Sequence, residues 1–173
     1  SGGGSGSDNS SVWLIGWAEN KIHGIFPKGS KAGLQHEDLG KILIQSTGGV
    51  AGAKSMCFVD RFQWKCGLAV KDWRFAVRIP NIDISNLVGE SSAADLVRLM
   101  IKAVHRIPST KGVKLCFYMN RTCLQMLDIQ RMDAVKAGGG LTYENVDGKV
   151  VPHFRGIPIK LVDQLLETES AVS

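Results

Sequence analysis

Short apolar runs separated by polar turns make up the first part of the chain. Val12–Trp17 is apolar but too short for a helix, and Lys21–Phe26 follows after the polar pair Glu19-Asn20. A further run, Lys41–Gln45, stands before the pair Gly48-Gly49, whose glycines suit a turn. This spacing predicts strands joined by turns.

The most regular alternation of apolar with polar or small residues lies between Phe62 and Ile79. It predicts two long antiparallel strands, or one strand with a bulge, that bury one face. We expect the aromatic residues of this face to belong to a core and not to a ligand-binding platform. The apolar positions are Phe62, Trp64, Cys66, Leu68, Val70, Trp73, Phe75, Val77 and Ile79.

From Ser85 onwards the spacing becomes helical. Ser92 and Asp95 form a capping pattern, and the apolar residues that follow lie on one helical face. Pro108 should stop this helix, because proline has no N–H for the helical ladder. The apolar positions of the face are Leu96, Val97, Met100, Ile101 and Val104.

The remainder predicts a strand, a second helix, a hairpin and a last short strand. Asn120 is placed to cap the second helix, and Asp147-Gly148 suits the tight turn of the hairpin. The predicted segments are the strand Val113–Tyr118, the helix to about Lys136, the hairpin strands Leu141–Val146 and Lys149–Phe154, and a strand from Gly156.

These patterns divide the chain into three parts. Residues 1–10 are rich in glycine and serine and predict a flexible segment. Residues 11–83 are β-rich, and residues 84–173 mix helices with strands. The expected fold class is therefore α+β.

Composition excludes some classes of protein and leaves one alternative open. The chain has 173 residues, of which 44% are hydrophobic and 21% charged, with no apolar run of about 18 residues. The four cysteines form no CxxC pair, so reduced thiols are expected and a zinc site is not. The net charge of +5 is compatible with a nucleic-acid-binding module, but basic and acidic residues alternate, which favours a solvated mixed surface.

Candidate chemistry is sparse. His36 beside Glu37-Asp38 is the one acid–base cluster, and a polar loop is a poor setting for catalysis. Gly29-Ser30-Lys31 lacks the spacing of a phosphate-binding loop. We therefore predict no enzyme, no catalytic residue, no cofactor and no metal site.

Nine sequence features, spread over nearly all of residues 7–173, follow one another in the order found in one protein family. The run Pro27–Asp38, PKGSKAGLQHED, is highly specific, and the other segments are individually modest. The segments are Ser7–Trp13, Gly24–Asp38, Trp64–Leu68, Asp72–Phe75, Arg78–Asp83, Phe117–Thr122 and Gly156–Ile159, with Asp163 and Glu169. On these residues the chain resembles the major capsid proteins of short-tailed phages and related prophages.

Two positions depart from the family pattern. Pro80 stands where a small non-proline residue is expected, and Phe75 stands where tyrosine is expected. Since proline removes one ladder donor, the strand around Pro80 should end there or lie at a sheet edge.

The resemblance implies the Hong Kong 97-type capsid fold. In that fold a peripheral domain, with long strands and a spine helix, joins an axial domain at the capsomer centre, and an arm and a long hairpin extend over neighbours. Residues 11–83 would supply peripheral strands and loops, and residues 84–173 the axial domain. The usual chain order places the axial segment first, so we expect a rearranged strand order.

Family members are roughly twice as long as this chain, which we therefore expect to be the second half of such a protein. We find no candidate here for the spine helix, the arm or the long hairpin. One face of the peripheral strands would then lack its cover, so an upstream segment or partner chains are expected to supply it.

The resemblance also implies the function and the partners. A structural subunit would assemble with its own copies into an icosahedral shell around double-stranded DNA, with possible scaffold or cement proteins. It would be made in the bacterial cytoplasm and end in the virion. The polar, glycine-containing loop 28–38 is the candidate interface between subunits, with a brace between strands as the equal alternative. Its named residues are Lys28, Gly29, Ser30, Lys31, Gln35, His36, Glu37 and Asp38.

Overall fold

A computed structural model describes residues 1–29, 31, 33–45, 54–90, 93–135, 142–146 and 149–172. These ranges contain α-helices and a larger share of strands, so the fold is α+β and mostly sheet. The chain forms two compact units. Unit 1 comprises residues 1–23 and 70–173, and unit 2 comprises residues 24–69.

The sheet of unit 1 is organised around β1 (Asn9–Trp17). Antiparallel neighbours flank it, with β6 (Ala76–Asp83) on one side and β7 (Lys114–Met119) on the other. The sheet continues from β7 through the parallel strand β10 to β9 and β8. These strands are β8 (Thr142–Val146), β9 (Lys149–Phe154) and β10 (Ile157–Leu161). The predicted hairpin is confirmed by the antiparallel pairing of β8 with β9, while its turn residues lie outside the described ranges.

Each helix begins at a side-chain cap. Asp83 accepts a hydrogen bond from the Asn86 N–H at α1, and Asp95 accepts one from the Arg98 N–H at α2. At α3, Asn120 Oδ1 accepts from the Cys123 N–H at 2.8 Å, which confirms its predicted role as a cap. The helices are α1 (Ile84–Val88), α2 (Leu96–Arg106) and α3 (Arg121–Val135), and α2 ends before Pro108 as predicted.

The core of unit 1 fills the space between the sheet and these helices. Leu14 and Phe117, on neighbouring strands, are fully buried in one cluster with Met100 of α2 and Leu127 of α3. Phe117 also meets Phe154 edge to face, with ring centroids 5.9 Å apart. Each such side chain contributes about 1.5–3 kcal/mol of hydrophobic stabilisation relative to an exposed one.

The glycine-rich start of the chain lies against β6. The Gly2 and Gly4 N–H groups donate to the carbonyls of Pro80 and Asn81, both at 2.8 Å. A side chain at Gly2 would place its Cβ 2.5 Å from the backbone carbonyl oxygen of Asn81, so glycine is required there. The segment that composition predicted to be flexible therefore has defined partners, and Pro80 lies on an outer strand, as expected from its missing donor.

Unit 2 contains a long antiparallel hairpin of β3 (Leu34–Gln45) and β4 (Lys54–Trp64). Its register runs from Leu34 opposite Trp64 to Gln45 opposite Lys54, and residues 46–53 lie outside the described ranges. The prediction that the sequence holds no long hairpin is wrong, and so is the loop assignment of residues 34–38. The cause is an irregular register in β3, which hides the alternation on which strand prediction depends.

The stretch from Phe62 to Ile79 is divided among four elements and not between two long strands. Its first residues end β4, and β5 (Gly67–Val70), which pairs with β2 (Ile22–Ile25), follows. A 3₁₀ turn at Trp73–Phe75 then leads into β6. Phe75, Val77 and Ile79 are buried as predicted, whereas the expectation of burial is wrong for the exposed side chains Phe62, Trp64, Leu68, Val70 and Trp73.

The compact units do not divide near Asp83, where the change of pattern had suggested a boundary. The chain leaves unit 1 after His23 and returns at Val70. Because β6 pairs with β1, residues on both sides of Asp83 belong to the same compact unit. Local periodicity reports a change of element, and long-range pairing decides which elements share a core.

Candidate assembly surface

The β3–β4 hairpin presents two different faces. Residues directly opposite each other in an antiparallel pair project to the same side, and successive residues alternate between sides. The register therefore places most of the large apolar residues on one side, here termed the aromatic face. Its members are Leu34, His36, Asp38, Lys41, Leu43 and Gln45 from β3, and Lys54, Met56, Phe58, Asp60, Phe62 and Trp64 from β4.

A β-bulge keeps the aromatic face continuous. The register shifts between Asp38 and Lys41, where β3 carries one residue more than β4. Asp38 Oδ1 accepts a hydrogen bond from the Gly40 N–H at 2.8 Å, and Gly40 has a φ of 67°, which suits glycine. The extra residue changes the side to which the rest of β3 points. Lys41 and Leu43 consequently join His36 on the aromatic face.

Large apolar side chains of the aromatic face are open to solvent. Phe58 is 79% exposed and Trp64 is 66% exposed, whereas Phe117 in unit 1 is fully buried. Leu34, Leu43, Met56 and Phe62 are also each more than half exposed. An isolated two-stranded hairpin is at best marginally stable in water, and contiguous exposed apolar surface marks an interaction site. The aromatic face therefore has the properties of a surface that another protein segment covers.

Polar groups order the middle of the aromatic face. The His36 ring stacks on Phe62 with centroids 4.7 Å apart, and its Nε2 lies 3.2 Å from Asp60 Oδ1. Lys41 Nζ lies 5.2 Å from the centroid of the Phe58 ring. The His36 side chain is 54% exposed, so the predicted acid–base cluster lies in the open and not in a closed pocket.

Some of the predicted interface residues lie together at the beginning of β3. Lys31, Gln35, His36 and Glu37 line a surface cavity of about 460 Å³. Gln35 Nε2 donates to the Lys31 carbonyl at 2.9 Å, and Glu37 lies 3.8 Å from Arg61. Lys28 and Gly29 are exposed in the preceding turn, Asp38 stands at the bulge, and Ser30 is outside the described ranges.

Sequence reasoning missed the apolar members of this surface. Phe58, Phe62 and Trp64 alternate with polar residues in β4, as the side chains of a half-buried strand do. Alternation identifies a face that requires a cover, and it does not say whether the same chain supplies that cover. The absence of a second apolar segment of matching period near β3 and β4 was the one available signal.

Comparison with known proteins identifies the family. The family model described as "Major capsid protein GP7" matches residues 1–173, the whole chain. The chain belongs to this family. The resemblance to phage major capsid proteins, expected from the run Pro27–Asp38 and its flanking segments, is thereby confirmed.

A solved relative shares the fold with this family member. It is a chain of the near-atomic-resolution cryo-EM structure of bacteriophage Epsilon15, with 35% sequence identity and a TM-score of 0.60. The match covers 99% of the present chain and 51% of the Epsilon15 chain, so the present chain spans about half the length of that relative. No curated protein matches the chain.

Residues of the capsid-family segments meet in a polar cluster of unit 1. Glu169 accepts hydrogen bonds from Ser11 of β1 and from Arg78 Nη2 of β6, the latter at 3.0 Å. Arg121 forms an ion pair with Asp163 at 2.9 Å, which raises the pKa of the Arg121 guanidinium. These contacts tie the last residues of the chain to the centre of the sheet, so the segments are linked by structure as well as by order.

Within the described ranges, no three His, Cys, Asp or Glu side chains come together as a metal site would require. Nor is any helix in those ranges both long and apolar enough to cross a membrane.

Proposed function

We propose that the protein is a structural, non-enzymatic subunit of a phage capsid, which assembles with its own copies into an icosahedral shell around double-stranded DNA. The aromatic face carries this proposal. In a member of a major capsid protein family, a long hairpin with solvent-facing Phe58, Phe62 and Trp64 is suited to repeated contact between chains. The shell would be part of the virion, with its subunits made in the bacterial cytoplasm.

The proposed architecture is the Hong Kong 97 type. Unit 1, a sheet packed against helices, fits the axial domain at the capsomer centre, and the β3–β4 hairpin fits the long strands of the peripheral domain. Because the hairpin is inserted between β2 and β5, the peripheral strands would interrupt the axial segment. On this proposal β1 and β6 would belong to the axial domain with α2 and α3, and not to the peripheral domain as was expected for residues 11–83.

The aromatic face would be covered by an upstream segment of the full-length protein or by a neighbouring subunit. Covering a side chain such as Phe58 removes apolar area from water and contributes about 1.5–3 kcal/mol. Several large side chains lie on this face, so burying them together would stabilise the contact by more than a single hydrogen bond does. The turn at Lys28 and Gly29, together with polar residues at the start of β3, would form the polar rim of the same contact, with Lys28, Lys31 and Glu37 exposed.

A charge placed on the aromatic face tests the proposal. In the full-length protein, Phe58→Asp should prevent the formation of shells, because the carboxylate would be buried without a partner. Ser55→Asp is the matched control, since Ser55 is exposed on the opposite side of the same strand. Electron microscopy should show particles for the wild type and for Ser55→Asp, and none for Phe58→Asp.

Shells of normal yield from Phe58→Asp would contradict the assigned surface. The second candidate is the basic nucleic-acid-binding module favoured by the net charge of +5. Small wild-type particles that form no shell but bind DNA tightly and lose it as salt rises would favour that candidate instead. Scaffold or cement proteins, if required, would appear as components without which the wild type fails to assemble.

A further inference from the structure

Two neighbouring cavities of unit 1 lie where β6 meets α2. They have volumes of about 340 and 410 Å³, and Val77, Arg78 and Arg106 line both of them. Lys102 lines the first and Arg74 the second. The shared residues make the two cavities one continuous surface feature. We call it the basic groove, defined by its cations Arg74, Lys102 and Arg106.

The basic groove has cations along its length and no carboxylate. No Asp or Glu lines either cavity. The three cations come from two elements, the 3₁₀ turn and α2, so they converge by folding and not by sequence proximity. Arg78 borders both cavities at the edge of β6, but its guanidinium lies on the other face of the sheet, against Ser11 and Trp13. This arrangement differs from the rest of the sequence, in which basic and acidic residues alternate.

A carboxylate outside the groove holds Arg74 in place. Asp72 Oδ1 lies 3.0 Å from Arg74 Nε. The side chain of Asp72 is 12% exposed and that of Arg74 is 57% exposed. The acid is thus the more buried partner and the arginine faces outward. A guanidinium has five donors, so Arg74 can hold its carboxylate and still donate to a second anion.

The two cations of α2 have no such partner. Lys102 and Arg106 are exposed, four residues apart, and so lie on one face of the helix. In the part of the chain that the structure describes, neither lies within 4.0 Å of a carboxylate. Cations near a helix C-terminus also stabilise the helix dipole, but that role needs no neighbouring arginine from the 3₁₀ turn.

We propose that the basic groove binds the phosphate backbone of double-stranded DNA, an inference that rests on the proposed role of the chain in a DNA-filled shell. A guanidinium group can donate two parallel hydrogen bonds to one phosphate group. A row of cations with no carboxylate among them does not repel the phosphates of the backbone. An acidic polypeptide is also negatively charged, but protein partners usually anchor through large side chains that fill deep pockets. Both cavities of the groove are open to the surface. The face of unit 1 that carries α2 and the outer edge of β6 would accordingly be the face turned towards the DNA.

DNA binding by the 173-residue chain tests the proposal. A fluorescent duplex of random sequence is titrated with protein between about 50 and 200 mM salt, and anisotropy reports binding. Lys102→Glu with Arg106→Glu should weaken binding by about tenfold or more and reduce the salt slope by about 2, one for each lost phosphate contact. Lys114→Glu with Lys160→Glu changes the net charge equally at two exposed positions on the other face of the unit 1 sheet, and should leave affinity within about twofold.

Three results would overturn the proposal. They are an equal loss in both double variants, an unchanged affinity in the α2 variant, or a preference of the wild type for polyglutamate over DNA at equal charge. Circular dichroism checks that the α2 variant is folded, and Lys102→Gln with Arg106→Gln replaces it if charge reversal unfolds the chain. Electron microscopy of the full-length α2 variant keeps the two proposals apart, since intact shells with unchanged DNA affinity would reject the groove alone.

Discussion

Unit 1 and the hairpin of unit 2 both carry large apolar side chains, but unit 1 buries them and the hairpin exposes them to solvent. In unit 1 the large apolar side chains of the sheet meet helices, and Phe117 is fully buried. In the hairpin the corresponding residues face solvent, and Phe58 is 79% exposed. Apolar and other residues alternate in β6 of unit 1 as they do in β4 of the hairpin. Apolar periodicity therefore specifies a face to be covered, while topology decides whether the chain covers it.

The cysteines give the sharpest test of this contrast, because each unit has two. Cys66 is exposed and Cys57 is partly buried, whereas Cys116 and Cys123 are buried in unit 1. Burial raises the pKa of the Cys123 thiol to about 12 and also raises that of Cys116, so both thiols are held in their unreactive form. A thiol reagent should modify Cys66 first and the two unit 1 thiols at least about a thousandfold more slowly, because they react only on unfolding.

Mass spectrometry of samples quenched at successive times locates the label and gives each rate. The same experiment in mild denaturant is the control, since the slow thiols should then accelerate together. Labelling of Cys123 at the rate of Cys66 would show that unit 1 has no closed core.

A pair of phenylalanine truncations compares the two regions by stability. Phe117→Ala should lower the free energy of unfolding by about 3–5 kcal/mol, because it leaves a cavity in the core. Phe58→Ala should change it by no more than about 0.5 kcal/mol, because the side chain is already in water. Urea denaturation of the 173-residue chain measures both. Equal losses would mean that the hairpin buries Phe58 within the single chain.

The smallest expected effect concerns an acidic side chain of unit 1. The Arg74 guanidinium, and to a lesser degree Lys21, holds the pKa of Asp72 well below its ordinary value. A carboxyl whose pKa is lower in the folded state adds stability above its ordinary pKa, and that stability is lost as pH falls below about 4. Asp72→Asn should therefore make the melting temperature less sensitive to acid between about pH 4 and pH 2.

Melting curves of the wild type and Asp72→Asn at each pH provide the comparison. Asp163→Asn is a suitable control, since the Asp163 carboxylate is exposed and forms its ion pair with Arg121. Parallel curves for the wild type and Asp72→Asn down to pH 2 would contradict a lowered Asp72 pKa.

Unit 1 could be predicted well from the sequence because its signals are local. Asn120 accepts a hydrogen bond from the Cys123 N–H, and its role as a cap was visible in the sequence itself. The pattern of Ser92 with Asp95 located the start of α2, where Asp95 is the capping residue and Ser92 lies outside the described ranges. The pairing of β8 with β9 was expected from Asp147-Gly148, a pair that suits a tight turn. The position of β6 beside β1 depends on long-range contacts that no local pattern encodes.

The hairpin and the candidate surface could not be predicted in the same way. The bulge at Asp38 and Gly40 adds one residue, so apolar positions before and after it have different parity in β3. In β4 the alternation of Phe62 and Trp64 was visible and their burial was inferred from it, whereas Phe58 lies before the stretch in which alternation was found. The basic groove was equally hidden, because Arg74 and Arg106 are distant in sequence and line one cavity only where β6 packs near α2.

The central position of β1 has a consequence for the order in which the chain folds. Its contacts join distant residues, such as Trp17 with Tyr118, 101 positions apart, and Asn9 with Glu169, 160 apart. The β3–β4 hairpin joins near neighbours and pays little loop-closure entropy, so it should form well before the sheet that surrounds β1. During synthesis the hairpin would leave the ribosome before β7 and β10 exist. Each nascent subunit would thus display its apolar ribbon during the interval in which chaperones compete with premature association.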